Sequence, residues 1–140
     1  MVKSNIKHNI ILGSKSPRRI ELLQLMGFQF ETRKLDVDEK YPKNLSPIQI
    51  AVFLSKKKAQ AHNIKTNNIL ICADTIVYNK KQVLGKPKSK KEAIKMLKHI
   101  SNKRHFVVTG VTIKTTSKII SFYERSIVYF KKLSENEIDF

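Results

Sequence analysis

At 140 residues, 41% of them hydrophobic and 28% charged, the chain has the size and composition of one globular domain, and a single domain over 1–140 is expected. The formal net charge of +17 favours anionic ligands, but 23 of the 28 basic residues are lysines and only 8% of the chain is aromatic. Five arginines and few stacking rings argue against a dedicated nucleic-acid module. No apolar run approaches a membrane span and the polar start, Met1 to Asn9, lacks a signal-peptide core, so no membrane and a cytoplasmic location are expected. The lone Cys72 sits in an apolar run, which predicts a small buried side chain and no internal disulfide.

In chain order, Ile10 to Leu12 reads as a short buried strand, Gly13 as a tight turn, and Ser16-Pro17 as the N-cap and first position of a helix. Arg18 and Arg19 then fall in the first helical turn, where the helix dipole disfavours cations. Two hydroxyls, Ser14 and Ser16, free backbone N–H groups and two guanidinium groups in one place fit an anion site; solvent-facing arginines are the plainer alternative. Ile20, Leu22, Leu23 and Met26 give this helix an apolar side, Gly27 ends it, and Phe28 to Lys34 alternates as a strand does. Asp36, Asp38 and Glu39 form an acidic cluster, either a solvated loop, which the local sequence favours, or a carboxylate loop for a hard divalent cation.

Ser46-Pro47 starts a second helix running to about Ala61, with Ile50, Phe53, Leu54 and Ala61 broadly on one side and Lys56-Lys57-Lys58 along it. Asn68 to Cys72 is a short strand whose end delivers Ala73-Asp74-Thr75 ahead of a second apolar run, Ile76 to Tyr78. A carboxylate between two buried runs is costly unless it is paired, bound to metal or at a cleft mouth, and a strand-end position would suit a ligand site. A turn at Asn79-Lys80-Lys81, a strand Gln82 to Leu84, a break at Gly85-Lys86-Pro87 and a Ser89-capped helix to Ile100 follow. Arg104 to Lys114 and Lys118 to Phe130 read as paired strands, and Leu133 to Glu137 as a helix start. The order β-α-β-α-β-β-β-α-β-β-α predicts an α/β domain whose mixed, twisted sheet is flanked by helices.

Neither a Gly-x-x-x-x-Gly-Lys-Ser/Thr loop nor Gly-x-Gly-x-x-Gly is present, the four histidines and one cysteine lack zinc spacing, and there is no Gly-x-Ser-x-Gly elbow. Read in order, Ser14-Lys15-Ser16-Pro17-Arg18-Arg19, Asp38-Glu39, Lys58-Ala59, Ala73-Asp74-Thr75-Ile76-Val77, Leu84-Gly85-Lys86-Pro87, Thr109-Gly110-Val111 and Glu124 to Phe130 resemble the Maf family of nucleoside triphosphate pyrophosphatases. The likeness covers residues 8–140 and implies a Maf/ITPase-like fold. It also implies hydrolysis between the α and β phosphates with a divalent cation, Mg²⁺ or Mn²⁺. Ala-Asp-Thr together with Ser-Pro-Arg-Arg is similar to the branch acting on dTTP and UTP.

By that resemblance Asp74 is the proton acceptor and a metal ligand, Glu39 a second metal ligand, and Arg18 and Thr75 set base specificity. Lys58 and Lys86 match phosphate-contacting lysines, and Ser14, Ser16 and Arg19 would join them around the phosphates. The expected partner is a nucleoside triphosphate, with no membrane, no specific nucleic acid and room for a homodimer. Family members continue past the equivalent of Phe140 with a Gly-Ala-Tyr-Gly-Ile-Gln-type segment. An absent C-terminal part of the fold, an exposed sheet edge and a missing wall of the site are therefore expected. A nucleotide-binding remnant without turnover and a basic nucleic-acid-binding protein are the alternatives.

Overall fold

The computed structural model describes residues 8–34, 36–80, 82–85 and 87–136. Its elements are β1 (Asn9–Leu12), α1 (Pro17–Leu25), β2 (Phe30–Thr32), α2 (Pro47–Gln60), β3 (Asn68–Asn79), β4 (Gln82–Leu84), α3 (Lys90–Ile100), β5 (Arg104–Lys114) and β6 (Ile119–Tyr129). The sheet has the order β2-β1-β3-β5-β6, with β4 added to β3. β1 runs parallel to β2 and β3, whereas β4 and β5 pair antiparallel with β3, and β6 with β5. This is the α/β class with a mixed sheet that the sequence predicts.

α2 is the helix that seals the core. Ser46 caps it reciprocally with Gln49, and Pro47 occupies its first turn. Its inward side chains Ala51 and Ala59 meet Val108 and Tyr78 in one cluster and Ile11, Leu70 and Cys72 in another. In β3 the even-numbered residues therefore face α2, and the odd-numbered ones face the other side of the sheet. Gly110 on β5 allows the closest approach, because a Cβ there would collide with the Ala51 carbonyl and the Val52 nitrogen. Between them the buried hydroxyls of Ser55 and Thr112 share a 2.8 Å hydrogen bond, and Thr112 extends the chain to Ser121. Lys114 Nζ donates to the Ala59 and His62 carbonyls, satisfying acceptors at the helix's C-terminal end. Cys72 is fully buried, as expected, and burial pushes its thiol pKa up to about 11.

Three expectations change. Asn68 to Asn79 is one continuous strand, so Asp74 lies in its middle, opposite Gly110, and not beyond a strand end. Pairing with β5 from Leu70 to Tyr78 carries the backbone straight through the carboxylate. β2 is only three residues, ending at Thr32. α1 buries no side chain, and Leu22 and Met26 on its anticipated apolar side are exposed. Of the last anticipated helix, Glu135 and Asn136 are helical, and the residues after them lie outside the described set.

Candidate active site

β5 occupies one edge of β3 along its length, whereas the other edge carries β1 at 68–71 and β4 at 77–79. Among the described residues, 72–76 thus have no strand on that second edge. β1 stops at this point: Gly13 donates to the Ile71 carbonyl at 2.8 Å, and the chain then turns away into α1. Side chains enter the opening instead. Arg19 Nη1 donates to the Ala73 carbonyl at 3.1 Å, and Lys58 Nζ, from α2, reaches the same oxygen at 3.4 Å.

The two cations divide the adjacent residues between them. Lys58 Nζ lies 2.8 Å from Asp74 Oδ1 on the α2 side, in a pair whose side chains are only 16% and 13% exposed. Arg19 Nη2 donates to Thr75 Oγ1 at 3.0 Å on the opposite side, and Nη1 also reaches Ser14 Oγ at 3.4 Å. Burial lowers the Arg19 pKa, a shift that the nearby Asp74 charge opposes; a guanidinium nonetheless stays charged. Two cations and one carboxylate leave a net positive opening, suited to phosphate oxygens.

The helix that brings Arg19 here starts as predicted. Ser16 Oγ accepts from the Arg19 backbone N–H, and Ser14 Oγ accepts from the Ser16 N–H. Arg19 is thus in the first turn because its side chain folds back onto the sheet, which answers the dipole's objection to a cation there.

A Maf-like protein family model matches residues 9–140. The chain belongs to the Maf-like protein family. Relatives include the dTTP/UTP pyrophosphatase of Thermosipho africanus, 45% identical over 131 residues, spanning 94% of this chain and 67% of the relative. The dTTP/UTP pyrophosphatase of Bacteroides thetaiotaomicron is 44% identical over 135 residues, spanning 94% and 70%. Among solved structures, the Ham1 proteins of Staphylococcus aureus and Coxiella burnetii superpose with TM-scores of 0.55 and 0.56 at 16% and 11% identity. The aligned regions cover 86% and 87% of this chain and 71% and 72% of those proteins, and they show a shared fold.

In this Maf-like chain the structure gathers Ser14, Ser16, Arg19, Lys58, Asp74 and Thr75 at one opening. Arg18 is exposed and makes no hydrogen bond or ion pair among the described residues. Glu39 is exposed too; its neighbour Asp38 is the residue tied to α2, through a 2.6 Å contact with Lys57 Nζ. That bond, with the Lys40 N–H, holds the Asp38 carboxyl below its ordinary pKa. Lys86 lies outside the described residues. The sequence reading assigned no role to Thr109, whose hydroxyl sits 3.0 Å from that of Thr75. The sequence carried Thr109 within the Thr109-Gly110-Val111 stretch, but its pairing with Thr75 shows only in the strand register.

No three His, Cys, Asp or Glu side chains cluster to cage a metal among the described residues. Asp74 nonetheless fits a Mg²⁺-type ion, which needs only one or two carboxylates beside substrate phosphates. Its Oδ1 takes Lys58, and Oδ2 takes no hydrogen bond among the described residues. No helix among the described residues is long and apolar enough to cross a membrane.

Proposed function

We propose that this chain hydrolyses dTTP and UTP between the α and β phosphates, giving the nucleoside monophosphate and pyrophosphate. The observation that carries this is the convergence of Arg19, Lys58 and Asp74 on one unpaired interval of β3, in a chain whose relatives bear the name dTTP/UTP pyrophosphatase. Arg19 and the Ser14 and Ser16 hydroxyls receive phosphate oxygens, together with Lys58 and Lys86. Lys58 moves from Asp74 Oδ1 toward the incoming anion, which offers more negative charge than one carboxylate. Asp74 then takes the proton of the attacking water as its oxygen bonds to phosphorus and the bridging P–O bond breaks. Asp74, with Glu39, would hold a divalent cation, Mg²⁺ or Mn²⁺, which would supply neutralisation of charge on the phosphate oxygens.

Arg18 and Thr75 govern the choice of base in this reading. It extends to a cytoplasmic chain, a homodimer in solution and a free nucleotide, not nucleic acid, as ligand. The test is pyrophosphate release from dTTP, UTP, CTP and 7-methyl-GTP with each metal, beside Asp74→Asn. Release from dTTP and UTP that the variant loses by at least about 100-fold is expected. Nucleotides that raise the melting temperature without releasing pyrophosphate would reduce the chain to a binding protein and sink the hydrolytic reading.

A further inference from the structure

The far end of the sheet carries a second gathering of cations. Arg104 opens β5, Phe106 follows two residues on, and Arg125 of β6 pairs with Val108, so all three share the face that α2 covers. Phe106 packs on the cluster of Ala51, Tyr78 and Val108, and Tyr78 stacks on its ring at 5.1 Å. The guanidinium carbons of Arg104 and Arg125 lie 5.8 and 5.3 Å from the centroid of that ring, close enough for cation–π attraction. Neither guanidinium has a carboxylate partner among the described residues. Two of the five arginines in the chain thus meet at one ring with their charge unanswered. The lysine enrichment of the chain does not account for that pairing.

Arg104 and Phe106 also line a cleft of about 780 Å³, the size of a small-ligand site. The other lining groups come from separate turns: Lys80 from the β3–β4 turn, Lys103 from the link between α3 and β5, and His99 from the last turn of α3. Gln82 adds an amide, and no aspartate or glutamate lines the cleft among the described residues. The backbone of Lys103 is held on both sides, its N–H by the Ile100 carbonyl and its carbonyl by the Phe130 N–H. The cleft is separate from the opening at Asp74. Its lining residue Asn79 ends β3, and the extended strand between them spans about 17 Å.

Arg104, Lys80 and Lys103 together call for more negative charge than one phosphate brings. The planar fork of a guanidinium matches two phosphate oxygens at once. Phe106, already covered by Tyr78 and the guanidinium groups, offers no open face for a base to stack on, which argues against a nucleobase or a single-stranded nucleic acid here. We propose that the cleft is a second anion site, taking a small linked-phosphate anion of the inorganic pyrophosphate class through Arg104, Lys80 and Lys103. It stands whether or not the chain hydrolyses nucleotides.

The test is a titration of the isotopically labelled chain with inorganic pyrophosphate, followed by amide chemical shifts. Two groups of amides should move, each with its own saturation curve: residues 13–19 at the opening, and Asn79, Lys80, Gln82 and residues 99–106 around the cleft. Arg104→Gln should weaken the cleft curve by at least about tenfold, the loss of one charge-assisted contact, and leave the curve at 13–19 in place as a check on folding. Lys56→Gln removes the same charge from an exposed position on α2 and should change the cleft curve by no more than about twofold. Still amides around the cleft overturn the proposal. So does equal weakening by Arg104→Gln and Lys56→Gln, which would mark diffuse attraction to a basic chain. Sulfate at the same ionic strength should saturate the cleft amides only at higher concentration, and equal affinity overturns the linked-phosphate assignment. Neither curve needs turnover, so a chain that releases no pyrophosphate from dTTP sinks the hydrolytic reading and leaves this one to be judged on its own.

Discussion

α1 and α2 begin alike, each with a serine N-cap, a proline in the first turn and no acidic residue there. They are attached to the sheet in different ways. α2 buries Ile50, Ala51, Leu54, Ser55 and Ala59 and rests on the bare backbone of Gly110. α1 buries nothing, and Leu25 at its end is 78% exposed. Its hold on the core runs through the Arg19 guanidinium, bonded to Ser14, Ala73 and Thr75. One helix is thus fixed by apolar contact and delivers Lys58 at a set height. The other is fixed by the same polar groups that would meet a ligand, so ligand binding and the seating of α1 draw on one set of hydrogen bonds.

The largest effect should come from Gly110→Ala. The added methyl strikes helix backbone rather than a movable side chain. A loss of about 3 kcal/mol or more is expected, read from the midpoint of urea unfolding. Arg19→Met should cost α1 alone, about 2 kcal/mol of local protection, seen as faster amide exchange over residues 17–25 with α2 unchanged. Equal acceleration in both helices would break the contrast. Ser46→Ala removes the reciprocal cap of α2 and should cost about 1 kcal/mol of global stability. Leu25→Lys on α1 should stay within about 0.5 kcal/mol by the same unfolding assay.

The smallest effect concerns pH. The Asp38 pKa is lowered in the folded chain, first by the Lys57 hydrogen bond. Its contribution is present above the ordinary carboxylate value of about 3.9 and is lost as pH falls through the folded value. Lys57→Met should therefore flatten the fall in melting temperature below about pH 4.

Local chemistry in the sequence carried the helix starts, where serine caps and prolines act within one turn, and the β5–β6 hairpin, where two long β-rich runs flank a short polar turn. It also pointed to Ser14, Ser16, Arg19 and Asp74, which lie together at the opening, whereas Lys58 and Thr75 entered through the family resemblance. The course of β3 was not legible, because aspartate is a poor strand residue and interrupts the apolar run at position 74. Lys58, sixteen residues earlier on α2, pairs with the carboxylate and makes that position tolerable. The division of Asp74 and Thr75 between two sides of the sheet follows from strand alternation once the strand is known to be continuous. The solvent exposure of α1 escaped for a different reason: its periodic leucines describe a face, and periodicity does not say whether anything covers it.

Cys72, the only cysteine in the chain, is sealed at 0% exposure with its thiol pKa raised to about 11. A thiol so protonated and so enclosed is a poor nucleophile toward labelling reagents at neutral pH. Any cysteine introduced at the surface is then a unique chemical handle without further engineering. Placed at the exposed Lys15, just ahead of α1, a fluorophore or spin label would report how that helix is seated as nucleotide is added.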